Sequence, residues 1–431
     1  MSRGSSAHLL RPILWICLLA TGCGGQQAAP QPLPNWEFGY WFWQGSSAWV
    51  QATAPIDTLY FQVRNGYLPE RLPPAKHYWA VIRFDDPLVP TQPIDWQKLQ
   101  SAASARNIKL AGVQLDIDCP THALRDYAKF LQTTRQKMPP EWQLSITALL
   151  DWFRPNTAIA SVIAAVDEFV PQFYDLHNPG TVGGAAVVAA PIDAAKWAPI
   201  FNKFGRRLKI AISTFGRSRT IAPESSRAIS FLNLRPFDVG TNPAFQLTTS
   251  TTPAKEQVLR YRATRATSIH SQPFEAGTTI EFVLSTPEAI AASVARAREM
   301  GERCGGVLFF RWPEQNETMA PVPDEVLTAA GAAAIAAKQP TLKVDDQRCA
   351  AVHCATLTIF GLPSLPAKPV RYRITSSVDL EYFLPEKPTP IRMTGPRRLE
   401  LTMPPYSGRM DVTLGRAVAA QTATYTLEVL P

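Results

Sequence analysis

Apolar residues in this 431-residue chain come in short continuous runs separated by segments of a different period. Eight runs stand out: Phe38–Trp43, Thr58–Arg64, Tyr78–Arg83, Leu110–Asp116, Gln143–Ala148, Glu168–Phe173, Leu208–Ser213 and Gly306–Phe310. Most lack the alternation of a half-exposed strand, so they read as parallel strands covered on both faces. The segments between them suit crossover helices. Asp95–Arg106 spaces Trp96, Leu99 and Ala103 helically. Thr121–Lys137 opens on Thr121 as an N-cap and puts Leu124, Tyr127, Ala128 and Leu131 on one face. Asp193–Phe204 and Pro287–Met300 read alike. Strands alternating with helices over residues 36–338 predict an α/β fold, a (β/α)8 TIM-type barrel. A doubly wound open sheet is the competing arrangement, but no Gly-rich phosphate turn follows any strand.

The repeat breaks over residues 215–285. Ala228–Leu234, Phe245–Thr252 and Thr279–Leu284 read as strands and Pro253–Arg265 as a helix, an elaboration between the seventh and eighth barrel strands. Asp324–Lys338 is Ala-rich and helical. Residues 340–431 change character: Val370–Ser376, Arg397–Met403, Met410–Leu414 and Thr422–Val429 are runs bounded by Pro and Gly. They predict a small C-terminal β-sandwich-like domain. Within it, Cys349 and Cys354 are close enough to close a small loop as a disulfide in an oxidising compartment. A zinc site on them and His353 would lack a fourth ligand nearby.

Composition is that of a folded globular protein, with 46% hydrophobic and 18% charged residues. The net charge of +8 is scattered, its densest points being the pairs Arg206-Arg207 and Arg397-Arg398. Without clusters interleaved with aromatics there is no nucleic-acid footprint. Histidines show no paired-ligand spacing, so neither a catalytic metal nor another cofactor is expected. At the N-terminus, Arg3 and Arg11 precede the apolar run Pro12–Ala20, and Thr21-Gly22-Cys23 follows. That is the order of a secretory signal, and the run is far short of the roughly 20 residues a spanning helix needs. A cysteine directly after small residues resembles a bacterial lipoprotein signal. The resemblance implies removal of residues 1–22, a lipid on Cys23 and a Pro-rich tether over 23–35. It also implies a lipid-anchored place in the cell envelope; Gly24, rather than Asp, favours the outer membrane.

Candidate chemistry concentrates at Ala111–Pro120, where an apolar strand ends in Asp116 and Asp118. Acids two apart on a strand share a face, and at the carboxyl end of a barrel strand that face is the mouth. Close carboxylates there impede each other's ionisation, so one pKa rises, as glycosidic cleavage requires. The plainer alternative is that one Asp caps the next helix while the other pairs with an Arg. Position at or past strand ends adds Tyr40, Trp41, Trp43, Arg64, Arg83, Asp85, Asp151, Trp152 and Glu314. Aromatic rings with acids and amides among them would suit pyranose faces. His177, after Tyr174-Asp175-Leu176, is a candidate substrate contact, with the solvated loop histidine as the plainer alternative. Cys119 reads as a buried small residue before Pro120 rather than a nucleophile served by His122. Cys304 falls at the opposite barrel end, so no disulfide between the two is expected.

The strand carrying the acids resembles the Asp-Gly-x-Asp-x-Asp-x-Glu motif of chitinase-like glycoside hydrolases. Gly112 and Asp116 fall on its Gly and third Asp, Ala111 and Gln114 replace its first two acids, and Asp118 stands at its proton-donating Glu. Gln172-Phe173-Tyr174-Asp175 is similar to that superfamily's substrate-orienting Tyr-Asp pair. Gly305–Trp312 is similar to its last strand, whose terminal Trp floors the sugar pocket. Taken in order, Gln114–Pro120, Leu144–Trp152 and Pro171–Asp175 look closer to one group, the bacterial lipoproteins of domain of unknown function 3142, over roughly residues 36–320. The resemblance implies a barrel that binds or hydrolyses an envelope or exported polysaccharide. Asp118 would be the donor, Asp116 its electrostatic partner, Tyr174 and Asp175 the ring holders and Trp312 the floor, with Gln114 among the contacts. Asp is one C–C bond (about 1.5 Å) shorter than Glu, and a misplacement of about 1 Å can cost about a hundredfold in rate. Either a rearranged acid pair cuts, or the barrel binds glycans without cutting. A third reading is a structural envelope lipoprotein whose C-terminal domain docks a protein partner.

Overall fold

The computed structural model describes residues 36–43, 52–53, 56–64, 66–85, 94–174, 191–223, 228–229, 234–314, 317, 319–332, 339–349, 352–362, 369–386, 389–403 and 411–431. The expected signal, Cys23, the tether, Asp175 and His177 lie outside these residues. Among them, eight parallel strands close into a barrel: β1 (Glu37–Phe42), β2 (Ile56–Gln62), β3 (Ala75–Phe84), β4 (Leu110–Ile117), β5 (Gln143–Ala148), β6 (Glu168–Pro171), β7 (Arg207–Ser213) and a final strand, Cys304–Phe310, that pairs with β7 and β1. All eight coincide, within a few residues, with the apolar runs. Outside lie α1 (Trp96–Ser104), α2 (Leu124–Lys137), α3 (Ile159–Ala164) and α4 (Ala194–Asn202). Asp95 and Asp193 cap α1 and α4 by accepting from the backbone N–H of Lys98 and Lys196. Thr121 does not cap α2. A 3-10 turn over Thr121–Ala123 comes first, and the Thr121 hydroxyl donates instead to Asp151 Oδ2 at 2.8 Å.

Period-two geometry divides the strand residues. Phe38, Tyr40 and Phe42 of β1, with Val113, Leu115 and Ile117 of β4, face the helices in the large outer core. Trp41, Tyr60, Trp79, Val81, Val170 and Leu308 fill the barrel itself. Gly112 of β4 lies opposite Gln143 of β5. A Cβ there would run into the Gln143 carbonyl and the Trp79 ring.

Between β7 and the last barrel strand, an antiparallel five-stranded sheet is inserted, in the order Phe245–Thr251, Gln257–Ala263, Thr279–Leu284, Arg217–Ile221, Ala228–Ile229. Its core is Leu259, Tyr261, Ile280 and Phe282. The helix expected at Pro253–Arg265 is thus a strand. Leu-Arg-Tyr-Arg-Ala alternates apolar and basic residues, and both edges are hydrogen-bonded to neighbours, which a helix could not satisfy. Of Ala228–Leu234, Ala228–Ile229 form strand, and residues 230–233 lie outside the described set. The Ala-rich segment is helical over Pro323–Ala329, and residues 333–338 lie outside the described set.

The C-terminal region comprises two four-stranded antiparallel sheets around Leu357, Ile359, Tyr372, Ile374, Leu401 and Leu414. Cys349 and Cys354 are disulfide-bonded, closing the hairpin between Thr341–Cys349 and Val352–Phe360. One short helix, α5 (Pro236–Gly240), joins the inserted sheet to this sandwich: Phe237 enters the sandwich core and Val239 the sheet's core. Asp238, buried between them, accepts from Arg235 Nη2 at 2.6 Å and Nε at 2.8 Å, with His270 Nε2 3.3 Å away. Burial pushes its carboxyl up, but the Arg235 and His270 contacts outweigh this and hold it below its ordinary value. Such a carboxylate stabilises the fold above the unfolded pKa of about 4, and that contribution disappears as pH falls through the folded value. Asp238→Asn is therefore expected to cost ~1.5–3 kcal/mol at neutral pH and to shallow the acid limb of a stability–pH curve measured by urea unfolding. An unchanged acid limb would contradict this assignment.

Candidate functional site

Inward positions of the barrel strands stack in layers from the N-terminal end to the mouth. At the N-terminal end, Lys209 is buried, with Nζ 2.8 Å from Glu37 Oε2, 3.7 Å from Glu168 Oε2 and 3.1 Å from the Tyr60 hydroxyl. Burial drives the Glu37 carboxyl up, yet Lys209 and Thr58 outweigh it and hold it below its ordinary value. From there a hydrogen-bonded ladder climbs. Tyr60 donates to Glu168 at 2.6 Å, Ser145 Oγ donates to Glu168 at 3.1 Å, and Gln114 Nε2 donates to Ser145 at 3.1 Å. Finally Trp41 Nε1 donates to Gln114 Oε1 at 2.7 Å. Gln114 must both donate and accept here, which an amide does and a carboxylate does not. The ladder ends beneath the indole that floors the mouth.

At the mouth, the β3–β4 register sets Arg83 beside Asp116. The guanidinium reaches Asp116 Oδ2 through Nη1 at 2.6 Å, Asp118 Oδ2 through Nη2 at 3.2 Å and Asp85 Oδ1 through Nε at 3.3 Å. Thr147 of β5 donates to Asp116 Oδ1 at 2.8 Å. The Asp116 side chain is 2% exposed and that of Asp118 47%. Burial raises Asp116 above the usual carboxylate range, although Arg83 and Thr147 pull against it. Asp116 is therefore the sealed member of the pair, and Asp118 the one open to the cleft.

Both acids line one cleft of about 960 Å³. Its aromatic floor is Trp41, Trp43, Tyr174 and Phe310. Tyr174 stacks on Phe310 at 5.1 Å, and Trp41 meets Phe310 edge-on at 5.8 Å. A second wall comes from the β5–α3 loop and α4, where Phe153 and Trp197 pack edge to face at 6.4 Å. Asp151, Gln172, Arg154 and Lys196 also border the space.

The structure thus brings together Asp116, Asp118, Tyr174, Trp43, Arg83 and Asp151 from the sequence candidates. Gln114 lies below them, under Trp41. Three aromatics are elsewhere. Tyr40 is on the outward parity of β1, against Trp312 at 5.1 Å. Trp312 is itself buried in the outer core, its backbone N–H donating to the Trp41 carbonyl. Trp152 donates through Nε1 to the Cys119 carbonyl at 2.8 Å and packs on Tyr127, tying the loops after β4 and β5 together. Glu314 is exposed and does not line the cleft. Cys119 and Cys304 are free and buried, and burial pushes each thiol up to about 11, which leaves no thiolate at neutral pH. Sequence reasoning missed Phe310, Phe153, Arg154, Lys196 and Trp197. Phe310 follows from the parity of Leu308, and Lys196 and Trp197 from the first turn of the helix after β6, which starts at the mouth.

Residues 80–240 match the family described as Domain of unknown function (DUF3142); the chain carries this domain, and the match spans Arg83, both acids, Asp151 and Tyr174. No curated protein matches the chain. Solved structures similar to it include the Bacillus cereus spore cortex-lytic enzyme SleL, at 14% identity over 71% of this chain and 76% of that one, with a TM-score of 0.43. A chitinase from Chromobacterium violaceum shares 12% identity over 69% and 98%, at a TM-score of 0.45. The Group IV chitinase of Ostrinia furnacalis shares 11% over 69% and 100%, at 0.44. Likeness at these identities concerns the fold alone.

Proposed function

We propose that the barrel cleft binds a polysaccharide and that Asp118 donates the proton that breaks a glycosidic bond. The observation that supports this is one juxtaposition: a buried acid of raised pKa, a second acid open to the cleft, and an aromatic floor beside both. Apolar C–H faces of pyranose rings pack on Trp43, Tyr174 and Phe310, leaving hydroxyls to Gln172 and Asp151. As the C–O bond breaks, a proton passed from Asp118 to the bridging oxygen frees the leaving sugar as an alcohol, and water adds to the anomeric carbon and gives up a proton. The carboxylate left on Asp118 lies next to the Arg83 guanidinium, which stabilises that charge as it develops. Asp116 acts through Arg83, anchoring the guanidinium from below. The same proposal includes a signal over residues 1–22, a lipid on Cys23, the tether 23–35, a barrel unit over 36–338 and a β-rich unit over 340–431. It sets the cleft at the cell envelope, within reach of wall or exported glycans.

A second reading, a glycan-binding barrel that does not cut, is favoured by Arg83 itself. The guanidinium already holds one oxygen of each acid, and a carboxyl kept in that contact does not turn to a bridging oxygen. Binding measurements on a polysaccharide panel, paired with a reducing-end assay, separate the two. Binding with release of sugar ends is expected, and Trp43→Ala should weaken affinity by about three- to tenfold through lost stacking. Binding without release selects the silent module. Failure to bind any glycan overturns the proposal.

A further inference from the structure

We infer that the glycan is anionic, its carboxylates being met by Arg154 and Lys196. The inference deepens the glycan-binding reading above and rests on it. Three acids and three cations border the cleft: Asp116, Asp118 and Asp151 against Arg83, Arg154 and Lys196. They are not equivalent. Arg83 is already shared among Asp116, Asp118 and Asp85, and Asp151 accepts from Thr121. Among the described residues, neither Arg154 nor Lys196 has a carboxylate within ion-pair distance. The acid nearest to Lys196 in sequence, Asp193, accepts from its backbone N–H at 3.1 Å as the cap of α4.

Both cations are attached to the same aromatic wall. Arg154 follows Phe153, and Lys196 precedes Trp197 with its Nζ 4.8 Å from that ring's centroid. The two rings meet at 6.4 Å although Phe153 and Trp197 are 44 positions apart in sequence. A neutral sugar on this wall would use the rings and leave two ammonium-type charges to water. A sugar carrying a carboxylate, as in a uronate, uses the rings for its apolar face and the cations for its charge. Because both cations are exposed, each contact is expected to change affinity by only about two- to fivefold and to weaken with salt.

The test uses the full-length protein with oligouronates of gluco, galacto and manno configuration, their carboxyl-reduced neutral counterparts, and N-acetylglucosamine oligomers. Binding is measured by calorimetry at low and high salt for the wild type, Arg154→Gln, Lys196→Gln, the double variant, and Lys203→Gln as a charge control outside the cleft. The expected result is preference for an oligouronate over its reduced counterpart by about tenfold at low salt, as two screened contacts allow. High salt and the double variant should erase that preference, and Lys203→Gln should not. Equal binding of acidic and neutral glycans, or an acidic preference that survives in the double variant, overturns the inference and leaves the glycan reading standing. No binding to any of the sugars overturns both.

Discussion

Asp118→Asn is expected to lower release of reducing ends by roughly 10²–10⁴-fold, the range a general acid contributes, while glycan affinity stays within about threefold. Asn keeps the shape of the side chain and its place above Arg83 but has no carboxylic proton to give. The effect belongs in kcat, whereas Trp43→Ala, which removes stacking surface, belongs in KM. Asp116 is not an equivalent donor. Its side chain is nearly sealed, with Oδ1 receiving Thr147 and Oδ2 receiving Arg83, so no scissile oxygen reaches it unless that contact opens. Turnover of Asp118→Asn within about threefold of wild type would remove Asp118 from the donor role, since loss of a general acid cannot be that mild.

Lys209→Met carries the largest expected loss of stability, ~3–5 kcal/mol, because it strips the cation from buried carboxylates. Glu37 and Glu168 share Lys209 at 2.8 and 3.7 Å; Glu168 is buried with the lysine, and Glu37 is half-buried at the barrel's N-terminal end. In the wild type, Glu37 is held below its ordinary value. Its contribution is therefore present above the unfolded pKa and lost as pH falls through the folded one. In the variant the same carboxylates are uncompensated, and protonating them relieves the strain. The deficit relative to wild type should accordingly shrink between pH 7 and pH 4 in urea unfolding. A deficit equal at both pH values would show that Lys209 acts by packing and not by charge. Glu37→Gln combined with Lys209→Met should recover part of the loss, because Glu168 is then the one carboxylate of the two left without the cation.

How far the residues foretold the molecule depends on the range over which each signal acts. Strands covered on both faces leave unbroken apolar runs, so the eight barrel strands were legible one by one. Gln257–Ala263 was misread because its alternation is short and one of its two partners, Thr279–Leu284, pairs across a longer excursion of the chain. Among the aromatics, Tyr40 and Trp41 are adjacent, so at most one of them faces into the barrel, and period two already implied that choice. Trp152 and Trp312 lie past the ends of their strands, where no period governs direction. Their burial was settled by the Cys119 carbonyl in one case and by Tyr40 in the other.

Local pattern alone determined the number and order of barrel strands, the insertion before the last of them, the β-rich C-terminal region and the common face of Asp116 and Asp118. Those features depend on neighbours two to four residues apart, whose geometry the backbone period dictates. Only the closed barrel decided that Asp116 is sealed while Asp118 opens to the cleft, that Arg83 spans both, and that Phe153 meets Trp197 with Arg154 and Lys196 bordering the same cleft. Burial and ion pairing depend on what lies across space, and strand register and barrel closure set those distances.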